Sequence, residues 1–170
     1  MCIRDRPQIC IHKLLSRDTK HMVFMLDLSI PDSDVVSNTS DYPTLVPGIS
    51  ANRTTRLHWW QGNLTQTLSS SNHLDTSAWP FGDLFRNHSE PLAEYTSPRP
   101  REGDIAHYYT LYLFEQPDEF VPSQAALVGS LFSQMADTRF NFSLAPIVEQ
   151  VGEPVAANYF LSSYNASLAA

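Results

Sequence analysis

AHYYTLYLFEQP, Ala106 to Pro117, is the stretch whose reading decides how this chain folds. From Ile105 to Phe114 it carries β-branched, aromatic and aliphatic side chains with no Gly or Pro, the composition of a strand. Ile105, His107, Tyr109, Leu111 and Leu113 fall on one face; Ala106, Tyr108, Thr110, Tyr112 and Phe114 fall on the other. A strand that is largely apolar on both faces belongs in the middle of a packed structure. His107 and Tyr109 point the same way, about 7 Å apart along the strand. Two readings stand. The imidazole and the phenol line a pocket, or they are core groups hydrogen-bonded for structure alone.

Upstream, His21 to Leu28 (HMVFMLDL) reads as a buried strand ending on an acid. Asp27 shares a face with Val23 and Met25, and it is either exposed at the sheet rim or held in a pocket. Arg56 to Gln61 (RLHWWQ) reads as a further strand, with His58 and Trp60 on a common face. Pro31 to Asn52 is a long polar loop. Ser69 to Tyr95 is irregular, with a short element around Trp79 to Phe85. The turn-rich SPRPREG run, Ser97 to Gly103, delivers the chain into the first-quoted strand. After Pro117 the pattern turns helical. Ser123 is a candidate N-cap ahead of the stripe Leu127, Val128, Leu131, Phe132 and Met135. Ser143 is a candidate cap for a shorter helix, with Pro146 in its first turn. Leu144, Ile147, Val148 and Val151 form its apolar face, and Gly152 and Pro154 stop it. Val155 to Phe160 is a last strand. No repeats occur.

The 170 residues suffice for one domain with a real core, and only 17% are charged. The net charge is −7 with 11 Lys and Arg, which argues against nucleic acid as a partner. No apolar run is long enough to form a transmembrane segment. Cys2 and Cys10 both lie near the start, so neither a disulfide framework nor a cysteine-based zinc site is expected. Asn38, Asn52, Asn63, Asn87, Asn141 and Asn165 each open an Asn-x-Ser/Thr acceptor pattern, six of the eight asparagines. At this Ser and Thr content chance gives about one or two. A Ser/Thr-rich cytosolic protein is the plain alternative; the reading adopted is a secreted, extracellular eukaryotic glycoprotein. Met1 to Arg6 (MCIRDR) fits nothing after it and reads as translated adaptor sequence, and no signal peptide is visible. The expectation is therefore a native upstream extension carrying one. The expected organisation is a non-native or poorly ordered segment over 1–20, a domain over 21–162 and a tail over 163–170.

Asp27, His58 and His107, with Tyr109 beside the last, each sit in or at the end of an apolar strand, where they can converge. With these motifs the sequence resembles the phosphatidylethanolamine-binding protein family, as a divergent secreted member of fungal type. MLDLSIP (Met25 to Pro31) resembles the family's D-P-D-A-P strand end, and LHWW (Leu57 to Trp60) its L-H-W-L strand. The Pro100 to Gly103 turn with AHYYTLYLFEQP resembles P-P-x-G…H-R-Y…E-Q-P, and PVAANYF (Pro154 to Phe160) the closing strand. The resemblance implies a mostly β fold: a β-sandwich of a large central sheet and a smaller one, with C-terminal helices and the N-terminal strands largely missing. It also implies a small anion pocket formed by Asp27, His58, His107 and Tyr109, with Pro31 and Pro100 shaping its walls and Trp59 or Trp60 supplying an apolar one. Imidazole N–H and phenol O–H groups would donate to phosphate oxygens, and Asp27 would orient one histidine. The sequence departs from the family at Ser29 (an acid there), at Arg101 (a proline) and at Tyr108 (the arginine of H-R-Y). Arg101 either adds a contact to an anion or lies exposed on its loop.

The leading expectation is a non-enzymatic binding module for a phosphate- or phospholipid-like small ligand. The alternative is a protease inhibitor or signalling regulator acting through protein contacts. Hydrolysis lacks a G-x-S-x-G elbow or other nucleophile. A metal site at Asp27, His58 and His107 has legitimate ligand types but no short-range spacing. No cofactor is expected.

Overall fold

The computed structural model describes residues 10–11, 19–31, 53–67, 83–87, 89–120 and 139–164. Six strands form one antiparallel sheet: β1 (Cys10–Ile11), β2 (Lys20–Pro31), β3 (Arg53–Thr67), β4 (Asp83–Asn87), β5 (His107–Gln116) and β6 (Ala156–Ser162), in the order β1-β4-β3-β2-β5-β6. The central strands are thus β2 and β3, both longer than the apolar runs that announce them. β5 lies one place from the edge, not in the middle. The difference shows in Tyr108, which is 49% exposed beside Tyr159 and Leu161 of the edge strand β6.

The alternation read from sequence sorts the side chains of β2 and β5 into two packed clusters. On one face Met22, Phe24, Leu26 and Phe114 pack with Leu57, Trp60 and Phe142; on the other Val23, Met25, Tyr109 and Leu113 pack with Trp59 and Leu64. Phe24 is the hub of the first, its ring centroid 4.8 Å from Trp60, 5.6 Å from Phe114 and 6.2 Å from Phe142.

β3 breaks its own alternation. Met25 pairs with Trp59 and the next residue, Leu26, with Leu57, so His58 is an extra residue: a β-bulge. The bulge overturns the expected common face of His58 and Trp60. Trp60 joins Leu57 under the sheet, while His58 turns to Tyr109 with the rings edge to face at 5.2 Å. A second irregularity lies between Asp27 and Ile30, where the Asp27 carboxylate accepts the Ser29 N–H at 2.8 Å.

Among the described residues, the layer over the Phe24 face is irregular chain and one helix; the smaller sheet is not among them. Ala93 bridges Trp60, and Phe140 bridges Arg56. Asn141, in the left-handed region at φ 55°, donates its N–H to Thr55 O at 2.7 Å and accepts from the Thr54 hydroxyl at 3.2 Å. The helix Ala145–Val151 starts after Leu144, with Pro146 in its first turn, and buries Ile147 against the cluster. Ser143 accepts the Ala145 N–H at 3.2 Å from just outside the N-cap position. Gly152, at φ 86°, ends the helix by donating to Val148 O. The helix expected from Ser123, the acceptor sites at Asn38, Asn52 and Asn165, and most of the Trp79 to Phe85 element lie outside the described residues; Asp83 to Phe85 belong to β4.

Candidate functional site

At one end of the β3-β2-β5 sheet lies a cavity of about 120 Å³, lined by Asp27, Ile30, Arg56, His58, Arg99, Arg101, His107, Tyr109 and Phe140. Four sequence candidates therefore meet: Asp27 from the end of β2, His58 from the bulge of β3, and His107 and Tyr109 from the start of β5. Pro31 and Pro100 are not in the lining. Pro31 closes β2 opposite Arg53, and Pro100 is buried between the two arginines that do line it. The apolar wall is Ile30 and Phe140. Trp59 and Trp60, expected there, are drawn into the two clusters under and over the sheet by the bulge at His58.

Asp27 organises the site. Its buried carboxylate accepts the Ser29 N–H, His107 Nδ1–H at 2.7 Å and the Tyr109 hydroxyl. His107 is held from its other side as well, Nε2 lying 3.0 Å from Asp104 Oδ2. Asp104 in turn takes a two-pronged contact from Arg53, at 2.9 and 3.1 Å, and Arg53 also donates to Ser29 O at 2.7 Å. The hydrogen bonds from Arg53 and His107 hold the Asp104 carboxyl well below the usual carboxylate range. Burial pushes the Tyr109 phenol up from its ordinary value, reinforced by the Asp27 charge and the hydrogen bond to it, while the Arg99 N–H donates to its oxygen. Ser29, standing where the family has an acid, is buried and accepts the Tyr108 N–H at 2.9 Å. It ties β2 to β5 in place of adding charge.

These bonds change the expected chemistry. The imidazole of His107 and the phenol of Tyr109 already donate within the protein, so they frame the cavity and do not offer it free donors. The cationic lining is arginine: Arg56, Arg99 and Arg101. Arg56 is half-buried, its guanidinium 5.2 Å above the Phe140 ring, and its Nε has no hydrogen-bond partner among the described residues. His58 differs again. Its Nδ1 lies 2.8 Å from Thr96 O and Nε2 lies 4.0 Å from Asp27 Oδ2 without a hydrogen bond. Burial pulls its pKa down to about 4, with Arg56 and Arg139 acting in the same direction against Thr96 and Asp27. Among the described residues no three His, Cys, Asp or Glu side chains are disposed to hold a metal ion.

Sequence reasoning passed over Arg56, Arg99, Asp104 and Phe140. Arg56 was within reach, since it stands two residues before His58 on one strand and shares its face. Asp104 precedes His107 by three residues across the exit of the Gly103 turn, and only the fold brings its carboxylate onto the ring. Phe140 arrives from a segment with no readable pattern.

A family model described as phosphatidylethanolamine-binding protein matches residues 4–160. No curated protein sequence matches. Among solved structures, a chain of the crystal structure of carboxypeptidase Y inhibitor complexed with the cognate proteinase is similar in fold, with a TM-score of 0.53 and 19% identity. The match covers 90% of this chain and 64% of that one, so the present chain spans less than two thirds of its neighbour's length.

Proposed function

The chain belongs to the phosphatidylethanolamine-binding protein family, and from that premise we propose that it is a non-enzymatic binding module whose cavity takes a small anion such as a phosphate group. The observation that carries the reading is the lining: three arginines around a recess in which Asp27, the one carboxylate among the described lining residues, is already engaged by three donors. A cavity of about 120 Å³ has room for a small group such as one tetrahedral oxyanion. Arginine favours such groups because its planar fork matches two oxygens at once.

A hydrolytic role finds little support in the same geometry. The Thr96 hydroxyl lies 3.1 Å from His58 Nδ1, but that nitrogen's proton is directed to the Thr96 carbonyl, so it is not placed to activate the hydroxyl. The test is a titration with phosphate, phosphorylethanolamine and acetate, following the histidine ring resonances. Shifts at His58 and His107 that saturate support the pocket; no shift from any of the three defeats it.

A second reading, a protease inhibitor, is favoured by the fold it shares with a chain of an inhibitor–proteinase complex. The exposed Tyr108, Tyr159 and Leu161 on the β5-β6 side provide apolar surface for such a partner. The acceptor patterns support an extracellular glycoprotein. Among the described residues no helix is long and apolar enough to cross a membrane.

A further inference from the structure

We infer that the cavity selects an anion that brings its own hydrogen-bond donor: a hydrogen-phosphate group, whose P–OH is accepted by His58 Nε2, in preference to sulfate or a phosphodiester. The inference rests on the anion-pocket reading above and specifies its ligand.

The position of one proton on His58 decides what the cavity can accept. A carbonyl oxygen only accepts, so the 2.8 Å contact between His58 Nδ1 and Thr96 O fixes a proton on Nδ1. In the neutral ring, Nε2 then carries a bare lone pair. This nitrogen is buried and has no hydrogen-bond partner among the described residues, in a side chain only 1% exposed. Asp27 Oδ2, itself an acceptor on a carboxylate that also lines the cavity, lies 4.0 Å away. Two acceptors at that distance, with no proton between them, repel unless a donor comes to them. An unpartnered acceptor buried in a protein is costly enough that its partner is to be sought in what fills the site.

The opposite deficit lies in the same lining. Arg56 Nε is a buried N–H with no acceptor among the described residues, and Arg99 and Arg101 add positive charge to the lining. The bound group must therefore present negative oxygens to the arginines and an O–H to His58. Hydrogen phosphate does both. Sulfate has the same shape and charge but no proton near neutral pH, so binding it would leave Nε2 facing another lone pair. The diester of an intact phospholipid head group has no P–OH either. The low pKa of His58 keeps Nε2 an acceptor over the pH range in which phosphate carries its proton.

Calorimetric titration of the whole chain at pH 7 with inorganic phosphate, sulfate and glycerophosphorylethanolamine tests this. Phosphate should bind at least about tenfold tighter than the other two, because a site built around a hydrogen bond rejects a ligand that lacks it. With ¹⁵N-labelled histidine, the His58 Nε2 resonance should move upfield, as for an accepting nitrogen, with phosphate and not with sulfate. In His58→Phe, phosphate should fall to the affinity of sulfate; should that variant not fold, the contrast between ligands on the unaltered chain decides alone. Equal affinities for phosphate and sulfate overturn the inference and leave the anion pocket standing. Binding of neither overturns both.

Discussion

Replacing Asp27 by asparagine keeps the side chain's shape and removes its charge from the centre of the site. The wild-type carboxylate receives the Ser29 N–H at 2.8 Å, His107 Nδ1–H at 2.7 Å and the Tyr109 hydroxyl, and it is 1% exposed. An amide keeps one oxygen, which can still accept from Ser29. Its NH₂ group then faces donors, so the bonds to His107 and Tyr109 are lost or reversed. Bonds to a charged partner contribute about 1.5–3 kcal/mol each, and breaking a buried pair costs about 3–5 kcal/mol, so D27N should lose roughly 3–5 kcal/mol of stability. Urea unfolding followed by the fluorescence of the buried Trp59 and Trp60 measures it, with an unchanged slope showing that the compactness of the two states is unaltered. The same loss should be partly shared with His107→Ala. In a double-mutant cycle the two should couple by about 1.5–3 kcal/mol. A loss below about 1 kcal/mol, or strict additivity, would refute the claim that Asp27 holds the site together.

Three further outcomes follow from particular contacts. His58 has a folded pKa of about 4 against 6.5 unperturbed, so the unfolded chain binds the extra proton first. Its contribution is whole above pH 6.5 and lost as pH falls towards 4, on the order of 3 kcal/mol, and NMR titration should show its ring neutral at pH 5.5. Phe24→Ala should cost about 3–5 kcal/mol in urea unfolding, since the ring meets Trp60, Phe114 and Phe142 and its loss leaves a cavity. In protein from a eukaryotic secretory host, glycopeptide mapping should find Asn63 bare, because its side chain donates to Ser89 and accepts from Gln116. Asn38 and Asn52, in polar turn-rich sequence, should be occupied.

The strands β2, β3, β5 and β6 were legible because each pairs an apolar run with turn residues at its ends, and period-two alternation named the faces of β2 and β5 correctly. β3 misled because its bulge is invisible to periodicity: one extra residue at His58 carries Trp60 to the other face. β1 and β4 are short and mostly polar or isolated in sequence, and only their pairing identifies them. At the site, Asp27, His58, His107 and Tyr109 could be found because a polar group in an apolar strand needs a reason. Their roles could not. Whether His107 offers a donor or spends it depends on Asp104 and Arg53, a pair 51 residues apart joined only by the fold. Arg99 was hidden for the opposite reason, since an arginine in a polar loop such as Ser97 to Gly103 looks ordinary until a cavity is seen beside it; Arg101 stood out only because the family has a proline there.

The most direct test of the anion pocket is calorimetric titration of inorganic phosphate into the wild type and into an Arg56→Ala, Arg99→Ala double variant, each verified as folded by circular dichroism. The wild type should bind saturably in the millimolar range or tighter, and the variant at least about tenfold more weakly, from the loss of two charged contacts. No binding to the wild type, or equal binding to both proteins, would contradict it.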